Sequence, residues 1–170
     1  GNVFKAELKS RMDQLDKVSG RTIRRHCSAD LGDSKCKLGL AAHTHLGTVS
    51  AVATAADFSA DTLGVFASRW FDHGRLTWTS GANTEQECVV SLHENGGSGH
   101  RIVLWRPPSA PIDIADAFQI TAGCDKSFAT CKAKFANPLN FQGFPHLPGN
   151  DAAYAYVDGQ GVFDGSVLVP

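Results

Sequence analysis

Nowhere do 18 apolar residues run together in these 170, which excludes a membrane-spanning helix on length alone. No basic stretch followed by an apolar one opens the chain, so no secretory leader is legible. The first residue is not methionine, which leads us to expect a processed product or an excised piece separated from a partner domain. Charge of one sign is missing too. With 16 basic and 17 acidic residues, the chain carries no overall field calling for nucleic acid or an anionic membrane. Five cysteines are an odd number and too few for a disulfide-built scaffold.

What is present suits one folded domain with small appendages. The hydrophobic fraction is 42%, with three tryptophans and ten phenylalanines, enough for a sizeable core, and the charged fraction of 19% argues against global disorder. The first 37 residues are mildly basic, with "RTIRRHC" the densest cluster, read as a solvated or interface face.

Periodicity divides the chain into three parts. In "VFKAELKSRMDQLD", Phe4, Leu8, Met12 and Leu15 recur at helical intervals, predicting an amphipathic N-terminal helix within residues 1–20 that Gly20 ends and whose apolar stripe docks. From about residue 46 to 122 the period becomes that of strands. "RLTWTSGANTEQECVVSLHENGGSGHRIVLWRPP" reads as strand, turn, strand, turn, strand, with Leu76 and Trp78, Cys88, Val90 and Leu92, and Ile102 and Leu104 facing inward. "DAFQITAGC" adds Phe118 and Ile120. The expected fold is mainly β, a small antiparallel barrel or sandwich. A short helix after residue 123 is predicted, capped by Asp125, with Phe128 and Phe135 on its inner face and Asn137 before Pro138 as its stop. A long ordered loop anchored by Phe141 and Phe144 follows. Residues 21–151 thus form a cysteine-bracketed β domain, and 152–170 an extended arm.

Cys27 and Cys36 precede the strands as C-x8-C, while Cys124 and Cys131 follow them as C-x6-C. Because antiparallel modules bring their ends together, all four sulfurs are expected at one end, and Cys88 stands apart on a strand. Four convergent thiols suit two disulfides, a tetrahedral zinc or an iron–sulfur cluster. If residues 124–131 are largely helical, the two Cα atoms lie roughly 10 Å apart along the axis. That separation disfavours a single ion and a Cys124–Cys131 disulfide more than a cubane, whose irons take separate thiolates. Irregular backbone would weaken the argument, and cross-paired disulfides with Cys27 and Cys36 stay open. Arg24, Arg25, Lys126 and Lys132 would favour thiolates.

At these residues a family becomes visible. "HCSADLGDSKCKLGL", "LTWTSGAN" and "DAFQITAGCDKSFATCKAKFANPLNFQGFPHLPGND" resemble the C-terminal part of phage tail-tip hub proteins, a family also found in gene transfer agents, over residues 4 to 151. The cysteine spacing is similar to that of lambda-type tail-tip proteins, whose C-terminal domain carries a [4Fe-4S] cluster. The resemblance implies that Cys27, Cys36, Cys124 and Cys131 are metal and cofactor ligands and that the chain is a structural, non-enzymatic virion component. It further implies assembly in the bacterial cytoplasm, other tail-tip proteins and a homo-oligomeric ring as partners, and DNA passing nearby. The resemblance further implies an N-terminal half, mostly β, that builds the ring in family members, and this sequence is expected to begin roughly where that half ends.

Two competing functions remain to be weighed: a redox-sensing iron–sulfur protein, and a peptidoglycan-cutting cysteine hydrolase using Cys88 with His93 or His100. His93 is only five positions after Cys88 in an apparent hairpin with no third orienting group, so Cys88 is read as a packed hydrophobe. His43 and His45 read as a surface pair, His26, next to Cys27, as at most a neighbour of the metal centre or a replacement ligand, and His146 as a loop residue. "DLGDSK" lacks the remaining oxygen ligands of a calcium loop, and "NGGSG" is a turn. Trp70, Phe71 and Trp105 are either core or partner surface.

Overall fold

Alternating apolar residues build six strands, and every inward row meets an inward row. In the computed structural model, which describes residues 20, 22–97 and 99–147, these are β1 (Thr44–Thr54), β2 (Asp57–Ala60), β3 (Arg75–Trp78), β4 (Glu87–Asn95), β5 (His100–Leu104) and β6 (Ala117–Thr121). The helix expected before Gly20 and the arm expected over 152–170 lie outside the described residues. All pairings are antiparallel, and the order β1-β2-β5-β4-β3-β6 closes on itself. Between the expected barrel and sandwich, the structure is a closed barrel.

Register explains the core. Phe58 lies opposite Ile102, Leu76 opposite both Cys88 and Ile120, and Trp78 opposite Phe118. The rings of Phe58, Trp78 and Phe118 meet pairwise at 5.5, 5.5 and 5.8 Å between centroids, all three out of solvent. Burying each such side chain contributes about 2–3 kcal/mol. Gly47 makes room for them, since a Cβ there would sit 2.5 Å from Cζ of Phe118.

One inward residue differs from expectation. A bulge between Val90 and Leu92 on β4 inserts an extra residue, so Leu92 is only half-buried and His93 takes the inward place. Plain period-two alternation cannot register that extra residue.

Two long connections cover the barrel. Residues 61–74, joining β2 to β3, form a strap whose Phe66 stacks on Trp70 and meets Phe71 edge-on. Phe71 is fully buried and Trp70 half-buried, whereas Trp105 is 68% exposed. Residues 105–116, joining β5 to β6, are pinned by Asn83, which donates to the carbonyls of Ala110 and Pro111 and accepts from the Ala110 N–H.

The short helix after residue 123 is present as α1 (Phe128–Ala133). Its N-cap is Ser127, not Asp125; Asp125 instead accepts hydrogen bonds from the Ser127 N–H and the Ser127 and Thr130 hydroxyls. The helix ends before Phe135, so Phe128 and Phe135 do not share a face: Phe128 meets Phe141, and Phe135 meets His43. Asn137 and Pro138 start a separate 3-10 turn, Pro138–Asn140.

Candidate functional site

Segments 22–39 and 124–147 are laid against each other at one end of the barrel by a seam of backbone bonds. The Cys27 N–H donates to the Lys126 carbonyl at 2.9 Å, Ser28 to Gln142 at 3.3 Å, and Phe144 to Arg24 at 2.9 Å. Lys126 bends back at φ 64°, which lets its Nζ reach the Ala29 carbonyl and, at 3.1 Å, the Asp30 carboxylate. Within the first segment, Asp33 accepts from the N–H groups of Asp30, Lys35 and Cys36, fixing the turn that presents Cys36. Those bonds, led by the one from Cys36, hold its carboxyl below the usual range.

Cys27, Cys36, Cys124 and Cys131 line one cavity there, alongside Phe135, Phe141 and Asn137. The convergence expected from the bracketing pattern is therefore present. Polar groups are aimed at three of the sulfurs: the Gln142 N–H at Cys27 (3.4 Å), Asn137 Nδ2 at Cys36 (3.7 Å), and the Cys131 thiol donates to the Asn137 carbonyl (3.2 Å). Asn137 Nδ2 also donates to the Cys36 carbonyl at 2.7 Å, so one amide ties both segments.

The expected [4Fe-4S] cofactor is contradicted by the detail of this arrangement. Among the described residues, no group of three or more His, Cys, Asp or Glu is disposed to hold a metal ion. The cavity is about 20 Å³, space for roughly one water and not for a cubane. Burial acts on two of the thiols. Burial pushes Cys131 up to about 11, with Cys124, Cys27 and Cys36 adding to the effect, and burial raises Cys124 against the opposing influence of Lys126. Sequence spacing told which end of the molecule the cysteines occupy; it carried no information on the size of the cavity they line.

Lys134 joins this seam to the barrel. Its half-buried ammonium donates to the carbonyls of Trp70 and Gly123 and lies 4.8 Å from the Trp70 ring centroid. Gly123 is required at the crossing, since a Cβ there would fall 1.6 Å from the Asp72 carbonyl oxygen. Lys126 was expected beside the cysteines as a positive neighbour, but Asn137, Gln142 and Lys134 were invisible as site residues in the sequence, because polar residues in a breaker-rich loop carry no periodic signal.

The remaining candidates separate. Cys88 is buried at the β3–β4 pairing, where desolvation raises its thiol; His93 and His100 bond to each other at 2.9 Å. The arrangement is not that of a nucleophile and base. His43 ends the 3-10 turn Leu40–His43 against Phe135, and His45 lies on β1 over Phe66; the two are close enough that His45 adds to the burial that lowers the His43 pKa. His26 is exposed, and the Phe128 ring meets His146 edge-on.

With this geometry in hand, relatives can be set beside it. Residues 69–151 match a family described as "Phage conserved hypothetical protein BR0599", and residues 1–39 match "Baseplate hub protein, N-terminal attachment domain". Among solved structures, a chain of the "Virion of native gene transfer agent (GTA) particle" is 33% identical, with a TM-score of 0.77 over 93% of this chain and 55% of that one. The chain thus spans about half the length of that relative. No curated protein matches it. The likeness is to phage and gene transfer agent particle proteins; likeness to the lambda-type iron–sulfur domain is not among these findings.

Proposed function

We propose that this chain is a structural, non-enzymatic part of the hub at the tip of a phage-like or gene transfer agent tail. One observation carries the reading: the 33% identity that extends over 93% of the chain with a virion protein of the same fold. The match of residues 1–39 to a hub attachment domain supports the same position in the particle. Neighbouring hub proteins are the partners, and the homo-oligomeric ring and the passage of DNA belong to the whole assembly.

In this reading Cys27, Cys36, Cys124 and Cys131 are packing and joining residues. They fill the seam that holds residues 22–39 and 124–147 on the barrel end, so those loops meet a neighbour in one shape. The redox-sensing alternative depended on the cluster and falls with it. The hydrolase alternative has no support in the surroundings of Cys88.

Deleting the gene and restoring it in trans tests the proposal. Particles from deleted cells should lack complete tail tips and lose gene or genome delivery, both recovered on complementation, with the chain detected in purified particles by mass spectrometry. Complete, delivery-competent tails in the deleted cells would overturn it.

A further inference from the structure

His93 and His100 lie stacked under the strap, both buried, with ring planes 14° apart and Nε2 of His93 2.9 Å from Nδ1 of His100. His100 Nε2 faces the Gly64 carbonyl at 2.7 Å, and a carbonyl only accepts. His100 Nε2 therefore carries a hydrogen. The contact between the rings uses one more. A third proton, the one that makes the pair cationic, has a single place left, Nδ1 of His93, which is buried and has no hydrogen-bond partner among the described residues. Phe71 covers this ring edge-on at 4.9 Å.

The surrounding charges do not provide for that proton. From the strap, the Asp72 carboxylate favours it, but Oδ1 already accepts the His93 backbone N–H at 2.7 Å and Oδ2 the Arg69 side chain at 2.9 Å. From beyond α1, the Lys134 ammonium opposes it. On the hairpin itself Glu94 and Arg101 pair with each other, Arg101 also with Asp57 on β2. His45 on β1 is separated by Phe66 and Phe71.

The same residues fasten the strap. Besides His100 to Gly64 and His93 to Asp72, the Arg69 N–H donates to the His93 carbonyl (2.7 Å), His73 to Val90 (3.0 Å), and Asn95 bonds Ser68 and Phe66. We propose that the His93–His100 pair is an acid-sensitive latch: proton uptake releases residues 63–73 from the β4–β5 hairpin while the rest of the barrel stays closed. Released, the strap would bare Phe66, Trp70 and Phe71. This inference goes beyond the hub assignment and does not depend on it.

Hydrogen exchange on the full chain, corrected for intrinsic rates, tests it. With His93 held at about 4 against an ordinary 6.5, the opening that exposes the Arg69, His73 and His93 amides should rise roughly 70-fold between pH 7.5 and 4.5, while Leu76 and Ile120 stay protected. His93→Gln should flatten that pH response. Unchanged protection at pH 4.5, or strap and barrel amides exchanging together, would overturn the proposal. Should the variant not fold, nitrogen NMR of the wild-type rings decides: the proposal requires His93 as the Nε2–H tautomer at pH 7.5, and titration near 6.5 with the strap still protected sinks it.

Discussion

Lys134 shows how one side chain can join two parts of a fold. Its ammonium is enclosed by two carbonyls and an indole face, and burial lowers its pKa. Replacing it with methionine keeps the apolar stem but leaves the Trp70 and Gly123 carbonyls short of a charged donor. We expect Lys134→Met to cost about 2–3 kcal/mol in denaturant unfolding, with unchanged slope; a loss under about 0.5 kcal/mol would show the contact to be incidental. At this scale the sequence was partly readable. Leu76, Trp78, Cys88, Val90, Ile102, Leu104, Phe118 and Ile120 were all expected inside and are, because strand alternation ties burial to spacing. Lys134, Asn137 and Gln142 depend on contacts across the chain, and nothing local distinguishes them.

Among the elements, α1 is the most dependent on its cap. Six residues are too few for a helix to persist without help. Help comes from Ser127, whose hydroxyl accepts the Thr130 N–H, and from Asp125 behind it. Ser127→Ala should cost about 1 kcal/mol. Burial pulls the Asp125 carboxyl up, but bonds from the Ser127 N–H and the Thr130 and Ser127 hydroxyls outweigh it and leave the pKa below 3.8. Its contribution is therefore complete above pH 3.8 and is lost as pH falls through the lowered value. Asp125→Asn should remove that part of the acid dependence in a pH series of urea melts; an identical acid limb in both proteins would refute the assignment. Element existence was legible here and the cap was not, since Asp125 and Ser127 are both good capping residues two positions apart. The β4 bulge escaped for a similar reason: one extra residue leaves composition untouched while exchanging Leu92 for His93 inside.

The whole molecule divides into a barrel closed by its own strands and a seam closed by scattered loop contacts. A closed barrel has no free edge for chance pairing, so contact with neighbours falls to loops and outward side chains. The two parts should differ in local stability. Exchange at pH 7 should be slowest for amides of β3 and β6 and much faster for Cys27, Ser28 and Phe144, whose bonds join segments with few buried apolar contacts. Equal protection throughout would mean that seam and barrel open as one unit. The sequence carried the meeting of the cysteine segments at one end of the barrel, through the antiparallel arrangement of what lies between. It did not carry whether that meeting forms a metal-holding group, and the cluster expectation failed there.

The hub assignment is tested most directly by an electron cryomicroscopy map of the particle that contains this chain. The account predicts density for the six-stranded barrel at the tail tip, with the seam formed by residues 22–39 and 124–147 in contact with a neighbouring hub protein. A complete tail-tip map with every density assigned to other chains would contradict it.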